Sequence, residues 1–452
     1  MLRKFFLYAY ISITSLIAYS QSIDEKIVNA INCADWFSLD SIYNSSPKDS
    51  IHPYLEISAR CFIGHQLNRP DVSIPAFKEL YNTQSDYLDL NNFISFAVMF
   101  GKDLSKVGEN EFAASMINQT MDATRQYLDS AMVSDLTFQA NWYSALGAYN
   151  PYQIQFNGDS IGKVPFAITP AGPKEKGNVL MHLKESTING LPADIIFDTG
   201  AGHNVISPEM AEKFGLIPLD RTRISVSGVG QSKGYLAIAK KLQIGNITVM
   251  DVPFTVVPIT SNNSEADSYA DEIKILMGLD FMLQLKDITI DFETNNLTIP
   301  AKDPFIPVKT DAKPNMCLTS TKTLLSKATI LHNPMLMYID TGNTSYGDIG
   351  ETFFENNKQY VLDNGIKDTV RIAGIGGIKL NDRYKLSNIK ISLGGHTLEI
   401  PEIDVRTTQE EGIGSQYEGI LGLRSLMLYP SIHFNFVDFV LTTGLPRNIN
   451  PR

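Results

Sequence analysis

The sequence predicts a multidomain α + β protein, in which an all-α, repeat-like helical domain precedes a mostly-β part. Up to about residue 150, apolar residues recur with the 3.6-residue period of amphipathic helices. Beyond that point, short β-branched and aromatic runs alternate with Gly, Pro and Asn turns, a texture typical of a closed or sandwiched β architecture. The β part also contains an internal repeat, and that repeat indicates a function.

Composition and charge exclude several classes of protein. The 452 residues include 38 Lys+Arg and 49 Asp+Glu, which gives a net charge of −11. We therefore expect no nucleic-acid partner, because binding to phosphates needs a basic surface. The hydrophobic fraction of 43% is typical of globular domains and excludes global disorder. Three cysteines are too few for a disulfide scaffold; Cys33 and Cys61 could pair, and three buried thiols are the alternative.

Residues 1–20 have the layout of a secretory signal peptide. Arg3 and Lys4 form a short positive region, residues 5–19 are largely apolar, and residues 18–20 supply small residues near a cleavage site. A membrane anchor, the alternative, needs about 20 apolar residues, which is more than this run contains. No other stretch is long and apolar enough to span a bilayer, so we expect no stable membrane insertion. The predicted location is outside the cytoplasm, either periplasmic or secreted.

Residues 21–150 are predicted to form the helical domain. Apolar residues repeat at helical spacing in the stretch after Pro53 and again from Ala113 to Tyr127. Short helices joined by polar turns loosely resemble a tetratricopeptide-type array, although no clean 34-residue repeat is present. No catalytic constellation occurs here, so the domain is a candidate surface for a protein partner.

The β part divides into two units with the same motifs in the same order. We assign residues 151–303 to the first lobe and residues 304–452 to the second, joined by a Pro-rich stretch at 300–315. Each lobe contains an Asp-Thr-Gly tripeptide directly after three apolar residues, where a buried strand enters a tight turn. A Gly-rich segment follows in each lobe, and then an apolar-apolar-Gly segment. The matched tripeptides are Asp198-Thr199-Gly200 and Asp340-Thr341-Gly342.

One Asp-Thr-Gly is weak evidence for catalysis, because Asp and Gly are common in turns. Two copies in matched contexts are much stronger evidence. The spacing from the aspartate to the apolar-apolar-Gly glycine is 80 residues in the first lobe, at Gly278, and 82 in the second, at Gly422. A two-fold arrangement of the lobes would bring Asp198 and Asp340 face to face.

With these motifs, the chain resembles the retropepsin-like aspartic peptidases, in a single-chain form with two fused lobes. The resemblance covers roughly residues 155–445 and is closest at residues 197–201, an apolar-Asp-Thr-Gly-Ala pattern. The second lobe departs from it, because Asn343 follows Gly342 where Ala or Ser is usual. Exported bacterial members with an extra N-terminal region exist in the family. The resemblance therefore implies a bilobal aspartic-protease fold of the bacterial exported type.

The same residues define a mechanism on chemical grounds. Two carboxylates about 3 Å apart cannot both ionise, so Asp198 and Asp340 would share one proton. The ionised member would act as general base on a water molecule, while the protonated member would stabilise the developing oxyanion. This hydrolysis needs no metal and no cofactor, and the seven histidines show no metal-ligand spacing.

The family resemblance also implies supporting roles around the dyad. Thr199 and Thr341 are expected to hydrogen-bond backbone across the lobe interface, while Gly200 and Gly342 permit close approach of the backbone. The Gly-rich segments are candidate flaps that close over an extended peptide or protein substrate, and ordinary hairpin turns are the alternative. The flap candidates are Gly228, Gly230, Gly374 and Gly376.

Two functions follow from these observations. The first is an exported aspartic endopeptidase that hydrolyses peptide bonds with the Asp198/Asp340 dyad. The alternative is a catalytically inactive peptidase-like protein whose helical domain recruits a protein partner. His203, five residues after Asp198, is a further candidate to tune the dyad or contact substrate, with a solvent-facing turn residue as the alternative.

Overall fold

The computed structural model describes most of the chain. The described residues are 22–158, 161–172, 177–219, 224–227, 231–259, 273–300, 312–374, 377–408 and 417–446. Three predicted features lie outside them: the signal peptide at residues 1–20, most of the Pro-rich linker, and the flap glycines Gly228, Gly230 and Gly376. The chain forms a helical unit that ends at Asn150 and a β unit that begins at Pro151. This arrangement confirms the predicted α + β class.

The helical unit contains α-helices of 10 to 18 residues joined by short turns. The helices are α1 Ile23–Asn32, α2 Trp36–Ser45, α3 Pro53–Gln66, α4 Pro70–Thr83, α5 Leu90–Lys106, α6 Asn110–Thr124 and α7 Ser130–Gly147. Three short 3-10 turns connect them, at Lys48–Ser50, Ser85–Tyr87 and Arg125–Tyr127. Proline occupies the first turn of α3 and α4, where its missing N–H costs nothing.

The helices of this unit follow a repeat whose signal lies in the caps. Asp89 accepts a hydrogen bond from the amide of Asn92, and Asp129 accepts one from the amide of Met132, both at 2.8 Å. A 3-10 turn ending in tyrosine precedes each cap, so that Tyr87-Leu88-Asp89 recurs as Tyr127-Leu128-Asp129, 40 residues later. The repeat-like character is therefore real, but its spacing is 40 residues and its mark is the cap, which a search for a 34-residue helical signature misses.

A buried polar network joins three helices of this unit. The carboxylate of Asp103 accepts a hydrogen bond from Ser73 Oγ at 2.7 Å, and it lies 2.9 Å from both His65 Nδ1 and Lys106 Nζ. Burial alone would raise the pKa of Asp103, but the charges of His65 and Lys106 outweigh it and hold that pKa well below its usual range. Because Ser73 donates to the carboxylate rather than to the histidine, this network holds the fold together and does not activate a nucleophile.

None of the three cysteines forms a disulfide. Cys33 is exposed, whereas Cys61 and Cys317 are buried, and all three are free thiols. The pairing of Cys33 with Cys61 is therefore absent. The alternative of three buried thiols is also wrong for Cys33.

The β unit has two lobes, described here as residues 151–300 (lobe 1) and 312–446 (lobe 2). The strands of lobe 1 are β1 Gln153–Phe156, β2 Ile161–Pro170, β3 Val179–Leu183, β4 Ser186–Ile188, β5 Leu191–Pro192, β6 Ile195–Phe197, β7 Val205–Ile206, β8 Ile217–Pro218, β9 Ile224–Ser227, β10 Gln231–Ile244, β11 Ile247–Val256, β12 Ile275–Met277, β13 Asp287–Asp291 and β14 Asn296–Pro300. Its helices are α8 Pro208–Lys213 and α9 Leu279–Leu285.

Lobe 2 repeats the central part of this arrangement. Its strands are β15 Met316–Leu318, β16 Leu324–Ile330, β17 Asn333–Asp340, β18 Gly347–Ile349, β19 Ile366–Gly374, β20 Gly377–Leu393, β21 His396–Arg406, β22 Gly419–Gly422, β23 Ser431–Asn435 and β24 Val440–Thr443. Its helices are α10 Glu351–Asn356, α11 Lys358–Asn364 and α12 Leu423–Leu426.

The strand order shows why the two lobes are equivalent. In lobe 1, β12 lies between β6 and β7, parallel to β6 and antiparallel to β7, and β7 is parallel to β11. In lobe 2, β22 lies in the same way between β17 and β18, and β18 is parallel to β21. The apolar-apolar-Gly segments of the sequence are thus the strands β12 and β22, each beside the strand that enters an Asp-Thr-Gly turn.

A shared sheet joins the lobes at their ends. Strand β13 of lobe 1 pairs antiparallel with β23 of lobe 2, with Thr289 opposite His433. The β23–β24 hairpin thereby extends the lobe 1 sheet rather than its own. Apolar side chains on these strands, such as Ile288, Ile290 and Phe434, are fully buried. This interlobe sheet fixes the relative position of the two Asp-Thr-Gly turns.

Candidate active site

Each Asp-Thr-Gly turn begins where a buried parallel strand ends. Asp198 follows β6 directly, and its amide donates a hydrogen bond to the carbonyl of Met277 on β12 at 3.0 Å. Asp340 is the last residue of β17 and lies opposite Gly422 on β22. The apolar residues before each aspartate, including Phe197 and Ile339, are buried. Core packing therefore presents both carboxyl groups at the ends of rigid strands.

The backbone of each turn holds its own aspartate in the same way. Oδ1 of Asp198 accepts hydrogen bonds from the amides of Gly200 at 2.8 Å and Ala201 at 3.1 Å. Oδ1 of Asp340 accepts from the amide of Gly342 at 2.9 Å and from that of the next residue at 3.0 Å. Charge-assisted bonds of this kind orient a carboxylate and favour its ionised form.

The two carboxyl groups hydrogen-bond to each other across the lobe interface. Each of them also lies against the glycine of the opposite turn. A Cβ atom on Gly200 would overlap the carboxyl group of Asp340, and one on Gly342 would overlap that of Asp198. Glycine is therefore required at both positions, because any side chain would push the two turns apart.

The threonines of the two turns interlock. The amide of Thr199 donates to Oγ1 of Thr341 and the amide of Thr341 donates to Oγ1 of Thr199, both at 2.9 Å. Each hydroxyl then donates onward to a buried carbonyl of the opposite lobe, Thr199 to Ile339 at 2.7 Å and Thr341 to Phe197 at 2.9 Å. These four bonds lie in the core, with Thr199 and Thr341 at most 1% exposed, so they fix the turns in one relative geometry.

The dyad holds a proton more tightly than an isolated carboxyl group does. Burial is the main cause, and it raises the pKa of Asp198 above its ordinary value and that of Asp340 well above it. The charge of Asp198 raises the pKa of Asp340 further, whereas the turn amides lower both. The carboxyls titrate as a pair, and in this geometry Asp340 is the protonated member.

Asn343 does not disturb the second turn. Its amide bonds Asp340 as that of Ala201 bonds Asp198, and its carbonyl accepts the amide of Leu423 at 2.8 Å, as Ala201 accepts that of Leu279 at 2.7 Å. Its own side-chain Oδ1 accepts from the amide of Ser345 at 3.1 Å and from Ser345 Oγ at 2.8 Å. The side chain thus stabilises the following loop and leaves the aspartate's bonds intact.

Tyr338 is a residue of the site that the sequence analysis did not find. Its hydroxyl donates to the carbonyl of Gly200 at 2.6 Å, and thus crosses from lobe 2 to the first turn. The residue at the same distance before the first aspartate is Ile196, which has no hydroxyl. The available signal was this aromatic-for-aliphatic difference between otherwise matched motifs.

His203 takes part in a bridge between the lobes. Its Nδ1 lies 2.5 Å from Oδ2 of Asp280, and Oδ1 of Asp280 accepts a hydrogen bond from Lys322 of lobe 2 at 2.8 Å. Burial alone would raise the pKa of Asp280, but Lys322 and His203 outweigh it and hold that pKa well below its usual range. The His203 side chain is 43% exposed, yet it is tied into this bridge rather than free in solvent.

Both candidate flaps belong to β-hairpins. Strand β9 pairs with β10, with Ser227 opposite Gln231, and the connection that contains Gly228 and Gly230 lies outside the described residues. In lobe 2, Gly374 ends β19 and lies opposite Gly377 of β20; Gly376 is not described. A hairpin serves equally as a flap or as an ordinary turn, so the flap assignment stays a prediction.

Two searches covered the described part of the chain. No group of three or more His, Cys, Asp or Glu side chains there has the arrangement of a metal site. Of the helices described, none combines the length and apolar character that crossing a bilayer requires.

Comparison with known proteins adds a family to this geometry. Residues 185–281, which include the first Asp-Thr-Gly turn and β12, match the family model described as aspartyl protease. The chain is 32% identical over 127 residues to DNA damage-inducible protein 1 of Cryptococcus neoformans var. neoformans serotype D, covering 28% of this chain and 27% of that protein. It is 31% identical over 139 residues to Protein DNA-DAMAGE INDUCIBLE 1 of Arabidopsis thaliana, covering 30% of each.

The chain thus spans less than a third of the length of these two curated relatives. Among solved structures, a retropepsin-like aspartic protease from Rickettsia conorii is 17% identical; the match covers 33% of this chain and 93% of that one, with a TM-score of 0.21. The family match confirms the aspartic-protease part of the predicted resemblance. Around its first Asp-Thr-Gly turn, this chain contains an aspartyl protease-like domain.

Proposed function

We propose that the protein is an exported aspartic endopeptidase that hydrolyses peptide bonds with the Asp198/Asp340 dyad. The observation that carries this proposal is the hydrogen-bonded pair of carboxyls inside the reciprocal threonine interlock. A fold that needed only two turns would not bury two carboxyl groups against each other, because each raises the cost of ionising the other.

The mechanism follows from the protonation of the pair. Ionised Asp198 takes a proton from a water molecule, which attacks the carbonyl carbon of the scissile peptide bond. Protonated Asp340 donates a hydrogen bond to the carbonyl oxygen, where negative charge develops, and so stabilises the tetrahedral intermediate. Transfer of a proton to the leaving amine then breaks the C–N bond and restores one proton on the pair.

Export and partners belong to the same proposal. The charged, apolar and small-residue pattern of residues 1–20 supports export to a periplasmic or extracellular location. The substrate class is a peptide or protein bound in extended form, paired through its backbone with strand edges of the β unit.

Digestion of a mixed peptide library by the full chain tests the proposal, with cleavage sites read by mass spectrometry from acidic to neutral pH. We expect cleavage by the wild type and a loss of about 10³-fold or more in kcat for Asp198→Asn and for Asp340→Asn. Asp194→Asn is the matched control, because this exposed carboxylate pairs with His182 away from the dyad. Statine-type inhibitors should block the wild type. Undiminished cleavage by Asp340→Asn would overturn the two-lobed mechanism.

One observation favours a second candidate function, a catalytically inactive peptidase-like protein that recruits a partner. Tyr87 and Tyr127 occupy the same place in the 40-residue repeat and are 59% and 65% exposed. Exposed aromatic rings are common anchors of protein interfaces. This alternative predicts that the wild type cleaves no peptide at any pH at which it is folded.

A further inference from the structure

The two lobes differ on the face that carries the dyad. Side chains alternate between faces along a strand, so Ile196 shares a face with Asp198, and Tyr338 shares one with Asp340. The residues between them, Phe197 and Ile339, point into the main core instead. The dyad-bearing face of each lobe is therefore identifiable strand by strand.

The strand registers show which residues of the two lobes are equivalent. In lobe 1, Leu276 of β12 lies opposite both Ile196 and Val205, and Val257 follows β11 two residues after the partner of Val205. These four residues belong to a small apolar cluster, separate from the main core. The wall beside Asp198 is thus apolar.

The same positions of lobe 2 carry charged and aromatic residues. Ile420 of β22 lies opposite both Tyr338 and Asp348, and Arg406 follows β21's partner of Asp348 by two residues. Arg383 of β20 lies directly opposite Arg406 in the antiparallel pair, so both guanidinium groups are on this face. The wall beside Asp340 therefore contains buried cations where lobe 1 has valine.

The two guanidinium groups share one carboxylate. Arg383 Nη1 donates to Asp348 Oδ2 at 2.7 Å, and Arg406 Nε lies 3.1 Å from Asp348 Oδ1 without the angle of a hydrogen bond. A second carboxylate on this face, Asp404, is close enough to Arg383 to feel its charge. Glu418, on the neighbouring segment, points its carboxylate at the amide of Leu336 at 2.7 Å.

Arg406 is left with donors that nothing uses. The residue is 4% exposed, and its Nη2 has no hydrogen-bond partner within the described residues. Gly350 keeps the space beside Nη2 open, since a Cβ atom there would come 3.3 Å from it. A buried guanidinium group is always charged and is unfavourable unless its donors are satisfied, so this arrangement indicates an anionic ligand.

Aromatic rings connect Arg406 to the dyad. The guanidinium carbon of Arg406 lies 6.0 Å from the ring centre of Tyr417, and that ring packs on Tyr338 with a centroid distance of 5.2 Å. Tyr338 then bonds the carbonyl of Gly200 beside the dyad. A peptide extended across the dyad would place a side chain within reach of this wall.

We propose that the Asp340-bearing face of lobe 2 is a subsite for an acidic side chain of the substrate, whose carboxylate binds Arg406. The opposite wall, beside Asp198, takes an apolar side chain. This proposal rests on the proposed peptidase function, because the dyad defines where the peptide lies. Glutamate or aspartate is therefore selected at one fixed position relative to the scissile bond.

Matched peptides that differ only in Glu or Gln at each position around the cleavage site test the subsite. We expect kcat/KM of the wild type to be about tenfold or more higher for the Glu peptide at one position, as expected for a charge-assisted bidentate pair. Arg406→Gln should bring this ratio near one, and Arg406→Lys should keep part of it. Lys390→Gln, which removes one charge from an exposed site on β20, should leave the ratio unchanged.

Removal of Arg406 could destabilise lobe 2 by leaving Asp348 buried with one cation less. The double variant Asp348→Asn/Arg406→Gln removes both charges and is measured alongside, with thermal unfolding as the check on folding. Retention of the Glu preference by a folded double variant overturns the subsite. Cleavage by the wild type with no acidic preference at any position also overturns it, and leaves the peptidase function standing.

The opposite failure is distinguishable through binding. Calorimetry on the Asp198→Asn protein compares the Glu and Gln forms of one peptide. If the wild type cleaves nothing but Asp198→Asn binds the Glu peptide about tenfold more tightly, the subsite stands and the peptidase function fails. Equal affinity for the two peptides overturns the subsite.

Discussion

Thr199 and Thr341 exchange hydrogen bonds, each amide donating to the hydroxyl of the other residue at 2.9 Å, in a region closed to solvent. The exchange joins two turns that are 142 residues apart in the chain. It is also the reason that the two carboxyl groups meet in one geometry. Several consequences of this relationship and of the charges around it are measurable.

Thr199→Val keeps the shape of the side chain but removes the hydroxyl. The amide of Thr341 and the carbonyl of Ile339 then lose their partners in the core, so we expect a loss of about 2–4 kcal/mol in the free energy of unfolding, measured in urea. Thr199→Ser retains the hydroxyl and should lose less than about 1 kcal/mol. The expectation fails if the valine and serine variants are equally stable.

Asp340→Asn should stabilise the protein at neutral pH. Burial raises the pKa of Asp340 well above its ordinary value, so the unfolded chain ionises first as the pH rises. The stability contributed by this group is complete below the unfolded pKa of about 4 and is lost as the pH rises toward the folded pKa. Tm of the variant should therefore exceed that of the wild type by a few degrees at neutral pH, with the gap closing in acid. A gap of the opposite sign at neutral pH would contradict this.

Lys322→Met should weaken the bridge between the lobes. Asp280 would keep only His203 as a partner, and because the pair is about three-quarters buried we expect a loss of about 1–2 kcal/mol at neutral pH. The pKa of Asp280 is depressed, so the stability that it contributes is present above its unfolded pKa and is lost as the pH falls toward the folded one. The difference in urea midpoint should shrink in strong acid. Lys240→Met, at an exposed site on β10, is the control and should change little.

Asn343→Ala makes the second turn match the first. The bonds to Asp340 and Leu423 come from the backbone of residue 343, so they survive the change. We expect kcat within about threefold of the wild type and a loss of about 1 kcal/mol, from the lost bonds to Ser345. A loss of activity comparable to that of Asp340→Asn would show that the Asn343 side chain has a chemical role.

Residues 151–452 should fold without the helical unit. The described elements of the two units pack into separate hydrophobic cores, and the strands of the β unit pair only among themselves. Expression of this fragment should give a soluble protein with a β-rich circular dichroism spectrum and the cleavage pattern of the full chain. An insoluble fragment would show that the boundary at residue 150 or the independence of the β unit is wrong.

The sequence by itself determined which residues form the site. The two Asp-Thr-Gly tripeptides, their apolar approaches and the glycines near residues 278 and 422 are local patterns, and local patterns survive translation into strands and turns. The α + β division followed in the same way from two different apolar periods. The 40-residue helical repeat was missed because its mark is a pair of capping aspartates rather than a helical motif.

Only the tertiary structure decided what depends on distant segments. The pairing of β13 with β23 joins strands more than 140 residues apart, and no local pattern states which strand will be its partner. The same holds for the bond from Tyr338 to Gly200, the Lys322–Asp280 bridge and the burial of Arg406 beside Asp348. A side chain's charge is written in the sequence. Its desolvation and its partner are set by packing, and these decide whether a charge holds the fold together or binds a ligand.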